Sequence, residues 1–511
     1  MVSRTRRAKW NIASSLMAQA VSAACGLIVP QLMIRTFGSE LFGATASIAN
    51  FLAYISLIEG GIAGVARAAL YKPLADGDIK AVSGVYHEIT RFFRTIGIVF
   101  VIYSVCLACC YRSIVGNTSL EWLFSFGLVL VISFSTMGQY FFGISNSILI
   151  QSDQRHYVLN ILSILTVITN TLSIIVLTYI GCSIIVVKLV SSCIYIIRPM
   201  IMSLYVKRHY RIISPGERER SMTLNQKWTG LGQHIAYFLH SNTDVVVLTI
   251  FADLKTVAVY SVYNMIVAGI RDLTSAFYNG LEAVFGNMYA KGEMEGLNKV
   301  FGYYETLISV VAVTLYSATA VLIVPFVKIY TMGVTDTNYV IPEFAIMAVL
   351  AEMVYTLRTP YHYLSNAANR FKETRAAAYG EAVINILLSI ALVFKFGIIG
   401  VAAATLVATA FRSVFYAVYI SKHILHRRMS SYIKRNVLNG LAFAAIFMAG
   451  SRSVSLVGTE NFLKWIICGL LVFAISAVIS TVTNVVFYRE DILAILSRTR
   501  AGKSLVSGKQ M

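Results

Sequence analysis

Apolar residues come in long blocks along this chain, separated by short polar intervals. A bilayer core takes roughly 20 apolar residues per helix. Runs of that length fall near 11–34, 41–66, 92–111, 122–144, 157–180 and 183–206. After a polar interval they resume near 229–251, 257–288, 303–327, 341–364, 374–396, 398–420, 437–456 and 462–488. The pattern predicts an all-α polytopic membrane protein with about fourteen transmembrane helices. The 257–288 run is longer than a straight crossing needs, so it is expected to tilt, bend or project. The first run follows Arg4, Arg6, Arg7 and Lys9 and continues past Ala18-Gln19-Ala20 to about Ile34. That length reads as an uncleaved first helix, not as a secretory leader.

Charge adds an orientation. With the N-terminus in the cytoplasm, 31 of the 43 lysines and arginines fall in the tails and loops of that side. Seven fall opposite, at Arg35, Arg112, Lys255, Lys328, Lys395, Arg452 and Lys464. This is the positive-inside asymmetry, and it predicts a multi-pass protein of the cytoplasmic membrane with both termini inside. The net charge of +19, which would suggest nucleic acid in a soluble protein, is a topology signal here, and no nucleic-acid partner is expected. A hydrophobic fraction of 57% against 13% charge leaves too little polar surface for a water-soluble fold.

The longest polar interval, 207–228, holds Lys207, Arg208, Arg211, Arg218, Arg220 and Lys227 around Pro215-Gly216. It predicts an N-terminal lobe over 1–206, a basic cytoplasmic linker over 207–228 and a second lobe over 229–420. Two additional helices then fall in 421–488 and a cytoplasmic tail in 489–511. No interval is long enough for a soluble catalytic domain, and no GxxxxGK[ST] phosphate loop is present. The seven cysteines lie in apolar runs without zinc-ligand spacing. Neither an enzyme nor a resident cofactor or metal is expected.

Ionisable groups are costly in a bilayer and generally face a cavity or a partner, so their spacing marks where water enters. In the seventh run Gln233, Tyr237, His240 or Ser241, and Asp244 recur on one helical face. The eighth offers Tyr260, Asn264, Arg271, Ser275, Tyr278 and Glu282. The tenth offers Glu352, Tyr355, Thr359 and His362, with Arg358 beside them. The twelfth has Thr405, Thr409, Arg412 and Tyr416; the sixth has Lys188, Tyr195 and Arg198; the second has Asn50, Tyr54 and Glu59. Arg198, Arg358 and Arg412 lie in the cytoplasmic halves of their runs, where they either snorkel to headgroups or face the interior. Arg271 sits near the middle of its run, where snorkelling is hard.

Several cations facing one aqueous cavity attract an anion, and diphosphate suits bidentate arginine. Hydroxyls, amides and aromatic faces beside them suit sugar. The expected substrate-binding set is Arg271, Arg358 and Arg412, with Arg198 and Lys188 in reserve, together with Asn264, Gln233 and Tyr237. Asp244, Glu59, Glu282 and Glu352 are expected to pair with these cations or to couple transport to Na+ or H+.

Short motifs run through the chain in a recognisable order. Phe37-Gly38 with Leu41-Phe42-Gly43 resembles a G-x-x-x-(F/Y)-G turn between two spans, and Glu59-Gly60-Gly61-Ile62 an acidic-x-Gly-apolar span ending. Asn242 and Asp244 precede Val257-Ala258-Val259-Tyr260. Pro325 to Asp336, Leu357-Arg358-Thr359-Pro360-Tyr361, Phe371-Lys372-Glu373-Thr374-Arg375, Glu381, Asn385 and Gly397 to Ala402 follow. In this order the chain resembles the polysaccharide and oligosaccharide flippases of the multidrug/oligosaccharidyl-lipid/polysaccharide exporter superfamily. Glu59 departs from the pattern, since many relatives look to have aspartate there.

The resemblance implies two lobes around a central cavity and alternating access. The implied cargo is a polyprenyl-diphosphate-linked glycan carried from the cytoplasmic to the outer leaflet, with membrane lipids and polysaccharide-assembly enzymes as partners. Two other readings stand beside it. A multidrug or cation antiporter of the same superfamily would need a cavity of net negative charge, against the excess of arginine and lysine in the runs. A membrane glycan polymerase would need a sizeable outer loop, and the outer intervals are short.

Overall fold

The computed structural model of the protein describes residues 4–59, 62–116, 118–213 and 231–492. Residues 214–228 of the expected linker and 493–511 of the expected tail lie outside them. The described chain is helical throughout, with no strand among the described residues.

The helices follow the apolar runs. The first half carries α1 (Arg4–Ala53), α2 (Ser56–Glu59), α3 (Ile62–Asp76), α4 (Ile79–Ile114) and α5 (Trp122–Gly138). A π-helical turn (Gln139–Gly143), α6 (Ile144–Ser152), α7 (His156–Tyr179) and α8 (Ile184–His209) complete it. The second half carries α9 (Leu231–Phe251), α10 (Leu254–Tyr278), α11 (Leu281–Ala290), α12 (Met294–Tyr330) and α13 (Pro342–Ala367). It ends with α14 (Phe371–His423), α15 (Met429–Val457) and α16 (Phe462–Phe487).

Nine helical stretches among the described residues are long and apolar enough to cross a membrane. Two of them combine expected runs: Lys9–Glu59 holds the first and most of the second, whose remainder from Ile62 lies in α3, and Phe371–His423 holds the eleventh and twelfth. The reversal inside each falls on a glycine with positive φ, Gly38 at 84° and Gly397 at 54°. Glycine carries no Cβ to clash there, so the chain turns without a loop. α10 and α13 do not meet the apolar standard. They are the helices that carry Arg271, Glu352 and Arg358, so the polar stripes themselves lower their hydropathy. The long 257–288 run bends: α10 stops at Tyr278, Gly280 adopts φ 97°, and α11 begins afresh.

The chain forms two compact units. Unit 1 comprises 1–259 with 334–337, and unit 2 comprises 260–333 with 338–511. In unit 1 the inter-helix turns sort to opposite ends, as alternate crossings require. Asn11 on α1 donates to the carbonyl of Gln154 at 2.9 Å, and the Tyr157 amide donates to Asn11 Oδ1 at 2.8 Å. These contacts join the start of the chain to the turn before α7. At the other end Glu40 accepts from Thr118 Oγ1 at 2.7 Å, and the Gly116 amide donates to the Thr249 carbonyl at 3.1 Å.

Close packing there depends on Gly43, since a Cβ at this position would sit 1.7 Å from the carbonyl oxygen of Leu254. The core of unit 1 gathers Ile48, Ile89, Phe93, Phe100 and Leu128; that of unit 2 gathers Phe285, Phe301, Tyr361 and Tyr416.

Candidate functional site in the charged groups inside the spans

In unit 2 the structure brings Arg358 and Arg412 onto one carboxylate. Glu381, on the first half of α14, takes Arg358 Nη1 of α13 on Oε1 at 2.9 Å. Its Oε2 takes Arg412 Nη1, from the second half of α14, at 2.5 Å. All three are buried, with relative exposures of 4% for Arg358, 1% for Glu381 and 4% for Arg412. Two cations on one anion leave the cluster with a net positive charge. The arginines are also covered by aromatic rings, with Arg358 4.8 Å from the Tyr355 centroid and Arg412 5.3 Å from that of Tyr416. Such cation–π contacts strengthen where water is excluded. His362, from the same face of α13, has a buried Nδ1 with no hydrogen-bond partner and a ring 5.6 Å from that of Tyr416.

Arg271 of α10 pairs with Glu352 of α13 through Nη1 and Oε1 at 2.9 Å, and both are partly exposed. Asn264, one turn or more before it, is exposed. Glu282 lies beyond the Gly280 break, exposed on the first turn of α11, so it leaves the stripe that carries Arg271.

Sequence periodicity did not single out a second charged cluster in unit 2. Glu305 of α12 receives a two-pronged contact from Arg427, with Nη1 to Oε2 and Nη2 to Oε1 both at 2.9 Å. Tyr361 donates its hydroxyl to the same carboxylate. Arg435 Nε lies 3.5 Å from Glu305 Oε2, and Arg435 Nη2 lies 3.6 Å from Asp491. Here the charges balance two against two. The signal available in sequence was the excess of arginine in the 421–436 interval, which counts toward topology and says nothing of partners.

Unit 1 is different. Lys188 and Arg198, both on α8, form no ion pair among the described residues, and Arg198 Nε is buried without an acceptor. His156 at the start of α7 feels the positive charge of both Arg198 and Arg67. Arg67, on α3, donates to Gln151 Oε1 at 3.1 Å. Arg67 and Arg198 are thus both within electrostatic reach of His156, and the Gln151 amide sits on Arg67. Arg67 and His156 fall just outside the apolar runs 41–66 and 157–180, so the polar stripes within the runs do not include them. The Glu59 carboxylate accepts from the Tyr140 hydroxyl, which the π-helical turn presents. Such turns widen a helix by one residue and re-aim its side chains. Asp244 is buried at 4% exposure. The side chains of Gln233 and Tyr237 lie outside the described residues.

The two units therefore offer different electrostatics. Unit 2 holds its intramembrane arginines on carboxylates, which satisfies buried cations. Unit 1 holds Arg198 and Lys188 without an ion-pair partner among the described residues. An arginine and an ammonium in that condition favour an anionic ligand, and the arginine fork matches phosphate oxygens.

No protein-family model matches the sequence, and no curated protein matches it. Solved structures do match in fold. The lipid II flippase MurJ in an inward closed conformation is 16% identical, over 94% of this chain and 100% of that one, with a TM-score of 0.67. The MATE multidrug transporter DinF-BH in complex with R6G is 13% identical, over 82% and 97%, with a TM-score of 0.59. An inward-facing multidrug resistance MATE family transporter of the MOP superfamily is 11% identical, over 79% and 94%, with a TM-score of 0.58. The chain is an all-α, multi-pass membrane protein with the fold these transporters share.

Proposed function

We propose that this protein is a flippase for a lipid-linked oligosaccharide, moving polyprenyl-diphosphate-linked glycan units from the cytoplasmic to the outer leaflet by alternating access. It would sit in the cytoplasmic membrane with both termini inside and serve surface-polysaccharide assembly. The observation that carries this reading is the pair of cations on α8, Arg198 and Lys188, without an ion-pair partner among the described residues. Arg198, with Arg67 and His156 close by, receives the diphosphate. Arg271, Arg358 and Arg412 of unit 2 are the further cations for the diphosphate, tempered by Glu352 and Glu381. Asp244 and Glu59 are the candidates for coupling to Na+ or H+. The fold shared with a lipid II flippase supports a lipid-linked cargo.

The fold is shared also with multidrug transporters, at somewhat lower TM-scores of 0.59 and 0.58. An antiporter of cationic drugs fits poorly with cations in the span that have no ion-pair partner among the described residues, since these would repel its cargo.

The test is deletion of the gene in its host, with complementation by wild type and by Arg198→Ala and Arg271→Ala. Loss of surface glycan with diphosphate-linked repeat units accumulating on the cytoplasmic leaflet, rescued by wild type and not by Arg198→Ala, is expected. Unchanged glycan and intermediates, with altered tolerance to cationic drugs, would transfer the case to drug export.

A further inference from the structure

A cavity of about 500 Å³ opens in unit 1 beside the Gly38 turn, at the end opposite the contact between Asn11 and Gln154. It is remote in sequence from the α8 cations and shares no residue with them. Phe37 and Phe124 supply apolar wall; Glu40, Glu121, Asp336 and Lys255 supply the polar positions.

Two of the carboxylates are fixed in place. Glu40 accepts from Thr118 Oγ1 at 2.7 Å and from the Ser119 amide at 2.8 Å on Oε1, and from Ser119 Oγ at 2.7 Å on Oε2. Asp336 accepts from the Ser39 amide on Oδ2 and from Ser39 Oγ on Oδ1, both at 2.7 Å. An ionised carboxylate has about four lone-pair directions, so both retain acceptor capacity. Lys255 Nζ donates to the Asp336 carbonyl at 3.1 Å and has two further N–H groups. Glu121 is exposed and forms no hydrogen bond or ion pair through its side chain among the described residues.

The chemistry selects among ligand classes. Three carboxylates against one ammonium repel phosphate. No group of three or more His, Cys, Asp or Glu among the described residues is arranged to hold a metal ion. An apolar ligand would desolvate the charged groups without replacing their hydrogen bonds. A saccharide satisfies every position: its hydroxyls donate to the held carboxylates, its oxygens accept from Lys255, and its C–H faces lie on the phenyl rings. The volume lies in the range of pre-formed small-molecule sites.

We propose that this cavity is a saccharide-binding site, separate from the cationic site on α8. Its role rests on the flippase reading: it receives the glycan portion of the cargo on the outer face while the diphosphate is held elsewhere. Its chemistry does not rest on that reading.

The full chain in lipid nanodiscs is titrated with the repeat-unit oligosaccharide released by mild acid from the host's surface polysaccharide, free of lipid and phosphate. Saturable binding by calorimetry is expected, weakened tenfold or more in Glu121→Ala and in Phe124→Ala. Glu121→Ala is expected to keep the wild-type melting temperature, since that side chain holds nothing in the fold, and Arg198→Ala is expected to keep saccharide binding. Absence of saturable binding, or equal binding by wild type and both cavity variants, would overturn the proposal. Translocation of lipid-linked repeat units in proteoliposomes separates the two readings. Translocation without saccharide binding defeats the cavity alone, and saccharide binding without translocation defeats the flippase reading alone.

Discussion

Arg358 reaches Glu381 at 2.9 Å across two helices, and Arg412 occupies the other oxygen of the same carboxylate. Removing Glu381 strands two buried cations at once. Glu381→Gln is therefore expected to destabilise the protein by about 3–5 kcal/mol, the range for breaking a buried ion pair. Thermal unfolding in detergent checks this. A variant that melts with wild type would mean that the arginines are held by other groups.

Arg198 should behave in the opposite way. Its buried Nε has no acceptor among the described residues, so Arg198→Ala relieves a desolvated charge and is expected to leave the melting temperature unchanged or raised. A charge-assisted hydrogen bond contributes about 1.5–3 kcal/mol, so translocation of a diphosphate-linked cargo should fall by roughly ten- to a hundredfold. Proteoliposome flipping assays paired with melting curves separate the two effects. A loss of stability matching that of Glu381→Gln would make Arg198 a structural residue.

Gly43 supports a packing test. A Cβ there would come 1.7 Å from the Leu254 carbonyl oxygen, and a backbone atom cannot swing aside as a side-chain tip can. Gly43→Ala is expected to cost about 3 kcal/mol or more, beyond ordinary overpacking. Gly26→Ala, with open space around its Cβ, is the matched control and should be silent. Equal behaviour of the two variants would sink the argument.

Glu40 gives a pH dependence at the turn between the first two spans. Burial pushes its carboxyl up, but the Ser119 and Thr118 hydroxyls, the Ser119 amide and the charge of Lys255 more than offset this and hold it below the usual carboxylate range. A lowered folded pKa contributes stability above the ordinary value of 4.5, and that contribution is lost as pH falls through the folded value. Wild type should therefore out-melt Glu40→Gln at neutral pH, with the gap closing on acidification. A gap that widens toward acid would contradict the assignment.

The helices were legible because a membrane crossing is a local property: length and hydropathy of one run decide it. The stripes on α10 and α13 were legible for the same reason, through the spacing of Arg271 and of Glu352, Tyr355, Thr359 and His362. Partners were another matter. Glu381 lies 31 positions from Arg412, Glu305 lies 122 from Arg427, and Ser39 lies 297 from Asp336. Periodicity carries no information over such separations, so Glu381 stood out only within a motif, and Arg427 and Arg435 only within a count of charges. Arg67 and His156 escaped because a residue at a run boundary reads equally as loop. The Gly280 break escaped because the apolar run continues through it, although its length announced a bend somewhere.

Residues 334–337 belong to unit 1 while the chain on both sides of them belongs to unit 2. The polypeptide thus passes between the units three times, and this sets an order of assembly. During synthesis, unit 1 stays incomplete until residue 337 has emerged, by which time α10 and α12 of the other unit already exist. Ser39 must wait for Asp336. Truncations ending between 260 and 333 lack Asp336, so unit 1 is expected to be left without the two bonds that Ser39 makes to it.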